Sequence, residues 1–300
     1  MSNRLCAPWL LPAMAMSLLA GCAAQMQPVA DFGATANHLA AAYKPFASGL
    51  QDSCEQKQRY VALSAPGSYD DEVVWRDAAV FCAQYKQAGA EAAALGDGVS
   101  AYAVALVKLS GAKATVFDKD IRDASTQLGT LTHDGTPVIA SDELSVATKV
   151  LRATALLVEE GKLQTLTRST LQDNQAALVV VVDAMKRYAD KVYGHQLADT
   201  RTILDGEHVS LVAASRAAAA SDVPGVLPWR LAQPALRADI DANKLETGRV
   251  AAFDEAADAL VKAHADLIAN FDTLRGVQRL ELVQSFVAKV QAIRAGAAAL

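Results

Sequence analysis

Basic runs, cysteine, aromatics and catalytic signatures are all scarce in this 300-residue sequence. Lys and Arg total 28 against 33 acidic residues, for a net charge of −5, and nowhere do the basic residues gather. Phosphate neutralisation needs a concentrated basic face, so the balance argues against a nucleic-acid partner. The most basic stretch, with Arg275, Arg279, Lys289 and Arg294, reads as a solvated helix face. There is no GxSxG, no SxxK with companion motifs, no CxxC and no HExxH or Cys/His cluster. No catalytic residue, metal ligand or cofactor is therefore assigned from sequence.

Partial motifs fail on their details. Gly96-Asp97-Gly98-Val99-Ser100-Ala101 has the spacing of a dinucleotide loop, but that loop needs a preceding strand. An apolar seam runs through Leu95, Val99 and Tyr102 without a change of phase, so these glycines are expected to be close-packing or loosening positions in a helix. Asp118, Asp120 and Asp123, and again Asp239, Asp241 and Asn243, suggest calcium loops. Asp123 and Lys244 stand where the sixth-position glycine would have to be. His195 and Asp199 are spaced to share a helix face, but Gly206 suggests a break before His208. His264 lies on an apolar seam and is expected to be a core histidine with a hydrogen-bond partner. Trp75 beside the acidic cap and Trp229 in a Pro-containing loop over 221–229 are the notable aromatics; Trp229 is placed either to anchor a partner or to pack over a helix end.

What the sequence has in quantity is alanine, roughly one residue in five, the strongest helix former. Apolar positions step by threes and fours in three long seams. One runs Phe32, Ala36, Leu39, Tyr43, Phe46, Leu50, with Pro45 expected to kink the helix or begin a new one. Another runs Val74, Ala78, Phe81, Tyr85, Ala88, Ala92, Leu95, Val99, Tyr102, Leu106, Leu109, capped by Ser68 or Asp70. The last runs Val250, Phe253, Ala257, Leu260, His264, Leu267, Phe271, Leu274. Further helices are expected over 118–131, 141–160, 171–194, 200–219 and 276–295, the apolar run Val179 to Val182 being a helix buried on several faces. No alternation suggests a sheet. The fold class is all-α: long antiparallel helices in an up-and-down bundle, either one bundle or two joined near the polar turn at 132–137.

The N-terminus carries Arg4, then an apolar run from Leu5 to Ala20, then Leu19-Ala20-Gly21-Cys22. That order of positive charge, short apolar run and small residues is the layout of a secretory signal. The last four residues resemble the lipobox of bacterial lipoproteins. The resemblance implies cleavage before Cys22, a diacylated Cys22 thiol and a membrane-anchored mature chain. Ala23 in place of Asp implies, by the same resemblance, the outer membrane facing the periplasm. The expected organisation is a signal over 1–21, a tether over 22–30, an N-terminal helical region over 31–135 and a C-terminal one over 136–300.

With Cys6 and Cys22 accounted for, Cys54 and Cys82 remain as a pair in an oxidising compartment. They are equidistant from Ser68 in the turn Pro66-Gly67-Ser68, so an antiparallel helical hairpin would bring them face to face. The expected role is a non-enzymatic envelope lipoprotein, a helical module that binds another envelope or periplasmic protein. An inhibitor or immunity lipoprotein against a toxin is the specialised alternative; an enzyme acting on envelope material and a small-molecule or metal chaperone are the others.

Overall fold

The computed structural model describes the backbone of residues 12–65, 67, 69–110, 132–133, 136–137, 163–217, 223–273 and 281–298. Side chains are described from Gln27 onward within those ranges, except at 132–133, 136–137, 163–166, 223–226, 229, 273 and 296–298. Helix α1 spans Pro12–Ser64, α2 Asp71–Cys82 and α3 Tyr85–Leu109. A two-residue antiparallel ladder joins Thr132–His133 to Thr136–Pro137. Then come α4 (Leu163–Arg187), a π-helical segment (Tyr188–Gly194), α5 (His195–Ala217), α6 (Val223–Asn270) and α7 (Glu281–Ala298). The expected helices over 118–131 and 141–160, and with them Asp118, Asp120 and Asp123, lie outside the described residues.

The limbs alternate in direction. Cys54 meets Cys82 while Gly33 meets Ala103, so α1 and the α2–α3 limb are antiparallel. Tyr188 reaches the Ala47 carbonyl and Thr200 reaches Ser53, so the α4–α5 limb runs with α1. Lys186 pairs with Asp258 and Arg201 reaches the Ile240 carbonyl, so α6 returns. The short α7 folds back along α6, Lys289 bonding Glu255. The result is an all-α, up-and-down bundle with α1 at its centre.

One apolar cluster fills most of it. Phe32, Leu39, Tyr43 and Phe46 of α1 pack with Leu95 and Tyr102 of α3, Val181 and Tyr188 of the α4 limb, Phe253 and Leu260 of α6, and Phe286 of α7. Residues from both sides of the 132–137 turn share this core, so the described helices form one bundle and not two. Burial starts at Pro28, inside the stretch expected to be a tether, and the α1 backbone is helical through it. Helix α1 also continues through Pro45; no new helix begins there.

The α4–α5 limb shows why a break at Gly194 or Gly206 was the wrong expectation. Val181, Met185, Ala189, Tyr193 and Leu197 are all buried and recur every four residues. An α-helix at 3.6 residues per turn would rotate that row off one face; the wider π turn over Tyr188–Gly194 keeps it in register. Gly206 lies within α5 with nothing near its α-carbon.

Small residues set the contact between α1 and the α2–α3 limb. Ala47, Ala40 and Gly33 step by seven along α1, opposite Gly89, Gly96 and Ala103 stepping by seven along α3. A Cβ on Gly89 would lie 2.3 Å from the Ala47 carbonyl oxygen, and one on Gly33 2.7 Å from that of Ala103. On Gly96 it would meet Tyr43 at 3.2 Å and the Ala40 carbonyl at 3.4 Å. The expected packing role of Gly96 is therefore observed. Cys54 and Cys82 are the next heptad step of the same register, with Cα atoms 5.8 Å apart in a disulfide.

Candidate functional site

The end of the bundle that holds the first described side chains of α1 is called proximal here, and the hairpin end distal. The large core stops near Leu50 and Leu197. Beyond it a small cluster of Leu204, Leu236 and Ile240, with Tyr60 and Leu211 against it, and the Cys54–Cys82 bridge hold the helices. Tyr60 donates to Asp239 at 2.5 Å, and Lys57 pairs with Asp199 at 2.9 Å. Burial, then the Asp239 hydrogen bond, pushes the Tyr60 hydroxyl upward, so it stays a donor.

Apolar side chains on the surface gather at this distal end. Val61 and Leu63 on α1, Tyr69 before α2, Val209 on α5 and Leu227 and Leu231 on α6 are all exposed. Helix α2 adds Val73, Trp75, Val80 and Phe81, with Val80 73 % and Phe81 54 % exposed. Among the described residues only Leu282 is a large exposed apolar side chain at the proximal end. Val73 and Val80, seven apart, share one face of α2, while Ala78 and Cys82 turn another face to α1. Asp70, which caps Val73 N–H at 3.2 Å, and the ion-paired Arg76 and Asp77 make the surroundings polar. Soluble proteins seldom leave clustered apolar surface uncovered without a binding role.

This corrects the seam drawn through Phe81. Helix α2 ends at Cys82 and α3 begins at Tyr85, so the row is interrupted between them. The bridge was the available signal: with Cys82 facing α1, its neighbour Phe81 is turned about 100° away. Trp75 is half exposed, with the Arg59 guanidinium 3.7 Å above its ring. Trp229 is not on a loop: the backbone from Val223 is helical, although the Trp229 side chain lies outside the described residues. The Cys22 side chain does too, while its backbone is part of α1.

A second feature is a cleft of about 400 Å³ between α1, the π segment and α6. Gly49 leaves room for the Tyr193 ring, whose hydroxyl would lie 2.9 Å from a Cβ there. The Tyr193 hydroxyl, pushed up by burial and then by Glu246, donates to Glu246 Oε2 at 3.5 Å. Arg249 pairs with the other oxygen of Glu246. Asn243, one of the failed calcium-loop residues, is 4 % exposed, and its Nδ2 donates to the Leu197 carbonyl at 3.0 Å. Its Oδ1 is buried with no partner.

The other titratable candidates separate. Asp199 pairs with Lys57, and among the described residues no three His, Cys, Asp or Glu side chains gather as a metal site. His264 is a core histidine, its Nε2 2.6 Å from the Tyr102 hydroxyl, as its place on the seam implies. Helix α3 is long and apolar enough to cross a membrane, but 72 % of its apolar window is buried in the bundle, as in the core helix of a soluble protein. No family model, curated protein or solved structure matches this chain.

Proposed function

We propose that this protein is a lipid-anchored envelope lipoprotein whose distal end binds another protein. The observation that carries this reading is the segregation of exposed apolar side chains to the end of α1 opposite the one that leads back to Cys22. A lipidated Cys22 would hold the proximal end at the membrane, since two or more acyl chains make anchoring effectively permanent. The face with Val73, Val80 and Phe81 would then point into the periplasm. No catalytic constellation competes with this reading among the described residues.

The test is capture of partners from envelope extracts with the intact, lipidated protein. The double variant Val80→Glu, Phe81→Glu should lose the captured protein, whereas Leu282→Glu at the proximal end should keep it. Equal capture by both variants would remove the distal surface from the reading.

A further inference from the structure

The outer face of helix α2 carries a pattern that complements itself. Val73 and Val80, 37 % and 73 % exposed, are seven residues apart and stand opposite Ala78 and Cys82, which turn to α1. At 100° per residue, Arg76 lies about 50° to one side of the line through the valines, and Asp77 about 50° to the other. Both charged side chains are exposed and pair with each other at 3.3 Å. An exposed pair of this kind contributes little, so its partners exchange at little cost.

A two-fold axis can join two copies of such a face in two ways, and the charges distinguish them. With the axis along the helices, α2 pairs in parallel with its copy. Val73 then meets the partner's Val73, Val80 meets the partner's Val80, and on each flank Arg76 meets the partner's Asp77. With the axis across the helices, the pairing is antiparallel. One flank then sets Arg76 beside the partner's Arg76, and the other sets Asp77 beside the partner's Asp77. Only the parallel arrangement joins opposite charges across packed helices, whose axes lie about 8–10 Å apart. It also suits a common anchor: α2 runs antiparallel to α1, so parallel α2 helices point both proximal ends at one membrane. A uniformly basic partner would match Asp77 and oppose Arg76, and an anionic bilayer would do the reverse.

We infer that the outer face of α2 docks a second copy of this chain in parallel. The inference rests on the reading of the distal apolar side chains as a docking surface, and names a copy of the chain as what Val73 and Val80 meet. Two helical turns bury less than the roughly 1,200 Å² of a stable interface, so the chain is largely monomeric in dilute solution. Anchoring in one bilayer raises the effective concentration to the order of millimolar, where the pair is populated. The exposed apolar side chains of α1, α5 and α6 take no part in the pairing.

The experiment is photo-cross-linking of the lipidated, disulfide-bonded full-length protein on phosphatidylcholine vesicles, with p-benzoylphenylalanine at position 79. Ala79 is exposed on the Arg76 side of α2, which the parallel pair sets against the side carrying Asp77 and Phe81. Irradiation should therefore give a covalent dimer whose adduct maps to residues 77–81, whereas antiparallel pairing would place it at 72–76. Trypsin cuts after Arg76 and separates the two outcomes. Arg76→Glu and Asp77→Lys should each lower the dimer yield about fivefold or more, because both flanks then join like charges. An equal mixture of the two variants, one of them tagged, should regain the yield as a heterodimer, because each flank again joins opposite charges. The substituted side chains are exposed, and unchanged circular dichroism will verify the fold. At about 1 mM in solution the unanchored chain should give the same adduct, so loss of the dimer on vesicles alone would count against the anchor and not against α2. No covalent dimer in either setting, an adduct at 72–76, unchanged yield in both single variants or no recovery in their mixture overturns the inference. Capture of an envelope protein through Val80 and Phe81 by a chain that forms no dimer would overturn it too, and would leave the proposed function standing.

Discussion

Gly89 and Ala47 touch backbone to backbone: a methyl group on Gly89 would stand 2.3 Å from the Ala47 carbonyl oxygen. The same pairing register, two heptads of small residues and one further step, ends in the Cys54–Cys82 bridge. Alanine and glycine are thus not merely helix formers in this chain. They fix how closely α3 lies against α1, and that spacing brings the two sulfurs within bonding distance.

Gly89→Ala should therefore cost about 1–3 kcal/mol, because the atom in the way is backbone and cannot rotate aside. Gly206→Ala, in α5 with nothing near its α-carbon, should instead stabilise by about 0.5–1 kcal/mol. Urea unfolding of both variants checks the pair. If the two change stability in the same direction, the close α1–α3 contact is not what limits position 89.

The disulfide closes a loop with a sequence separation of 28 at the level where the main core ends. In the chain-entropy model such a loop is worth about 3.5 kcal/mol. The double variant Cys54→Ser, Cys82→Ser should lose stability of that order. Its first proteolytic cuts should fall in the distal parts of α1 and α2, where only the small Leu204, Leu236 and Ile240 cluster remains. Mass spectrometry of limited digests would locate them; cuts confined to the proximal end would contradict this account.

His264 makes stability depend on pH. Burial lowers its pKa from 6.5 to about 4, so the folded state favours the neutral ring beside Tyr102. The unfolded chain takes up the proton first as pH falls. The contribution is thus fully present above about 6.5 and is lost progressively down to about 4, amounting to about 3 kcal/mol. Urea midpoints measured from pH 7.5 to pH 4 should fall for the native sequence and flatten for His264→Gln. An equally steep fall in the variant would assign the effect to other groups.

The long seams were legible because period 3.6 survives wherever a helix has one buried face: Phe32 to Leu50 and Val250 to Leu267 are buried at every predicted position. The disulfide was legible for a related reason, since residues equidistant from one turn meet in an antiparallel hairpin. Other features were decided by contacts distant in sequence. The four-residue row from Val181 to Leu197 has meaning only against α1 and α6, and it selects a π turn that glycine positions do not announce. Phe81 looked like core because the seam was continued through an interruption between Cys82 and Tyr85. Asn243 was read with its sequence neighbours Asp239 and Asp241, whereas its partner is Leu197 on another helix.

The proposed anchoring makes a geometric prediction. Only six residues separate Cys22 from buried Val29, about 10 Å if the helix continues and about 25 Å if the chain is stretched. The described part of α1 from Val29 to Ser64 is about 50 Å long. With the lipid in a bilayer, the proximal end must therefore stay near the headgroups. An upright bundle would carry Val80 several tens of ångströms farther out. Fluorophores at positions 282 and 80 of the lipidated protein on vesicles, with acceptor-labelled headgroups, measure this directly. Transfer should be strong from 282 and weak from 80. Cys22→Ala should fail to incorporate labelled palmitate and should lose transfer from both positions. Equal transfer from 282 and 80 in the anchored protein would mean that the bundle lies along the membrane, leaving its apolar distal face to lipid instead of to a protein partner.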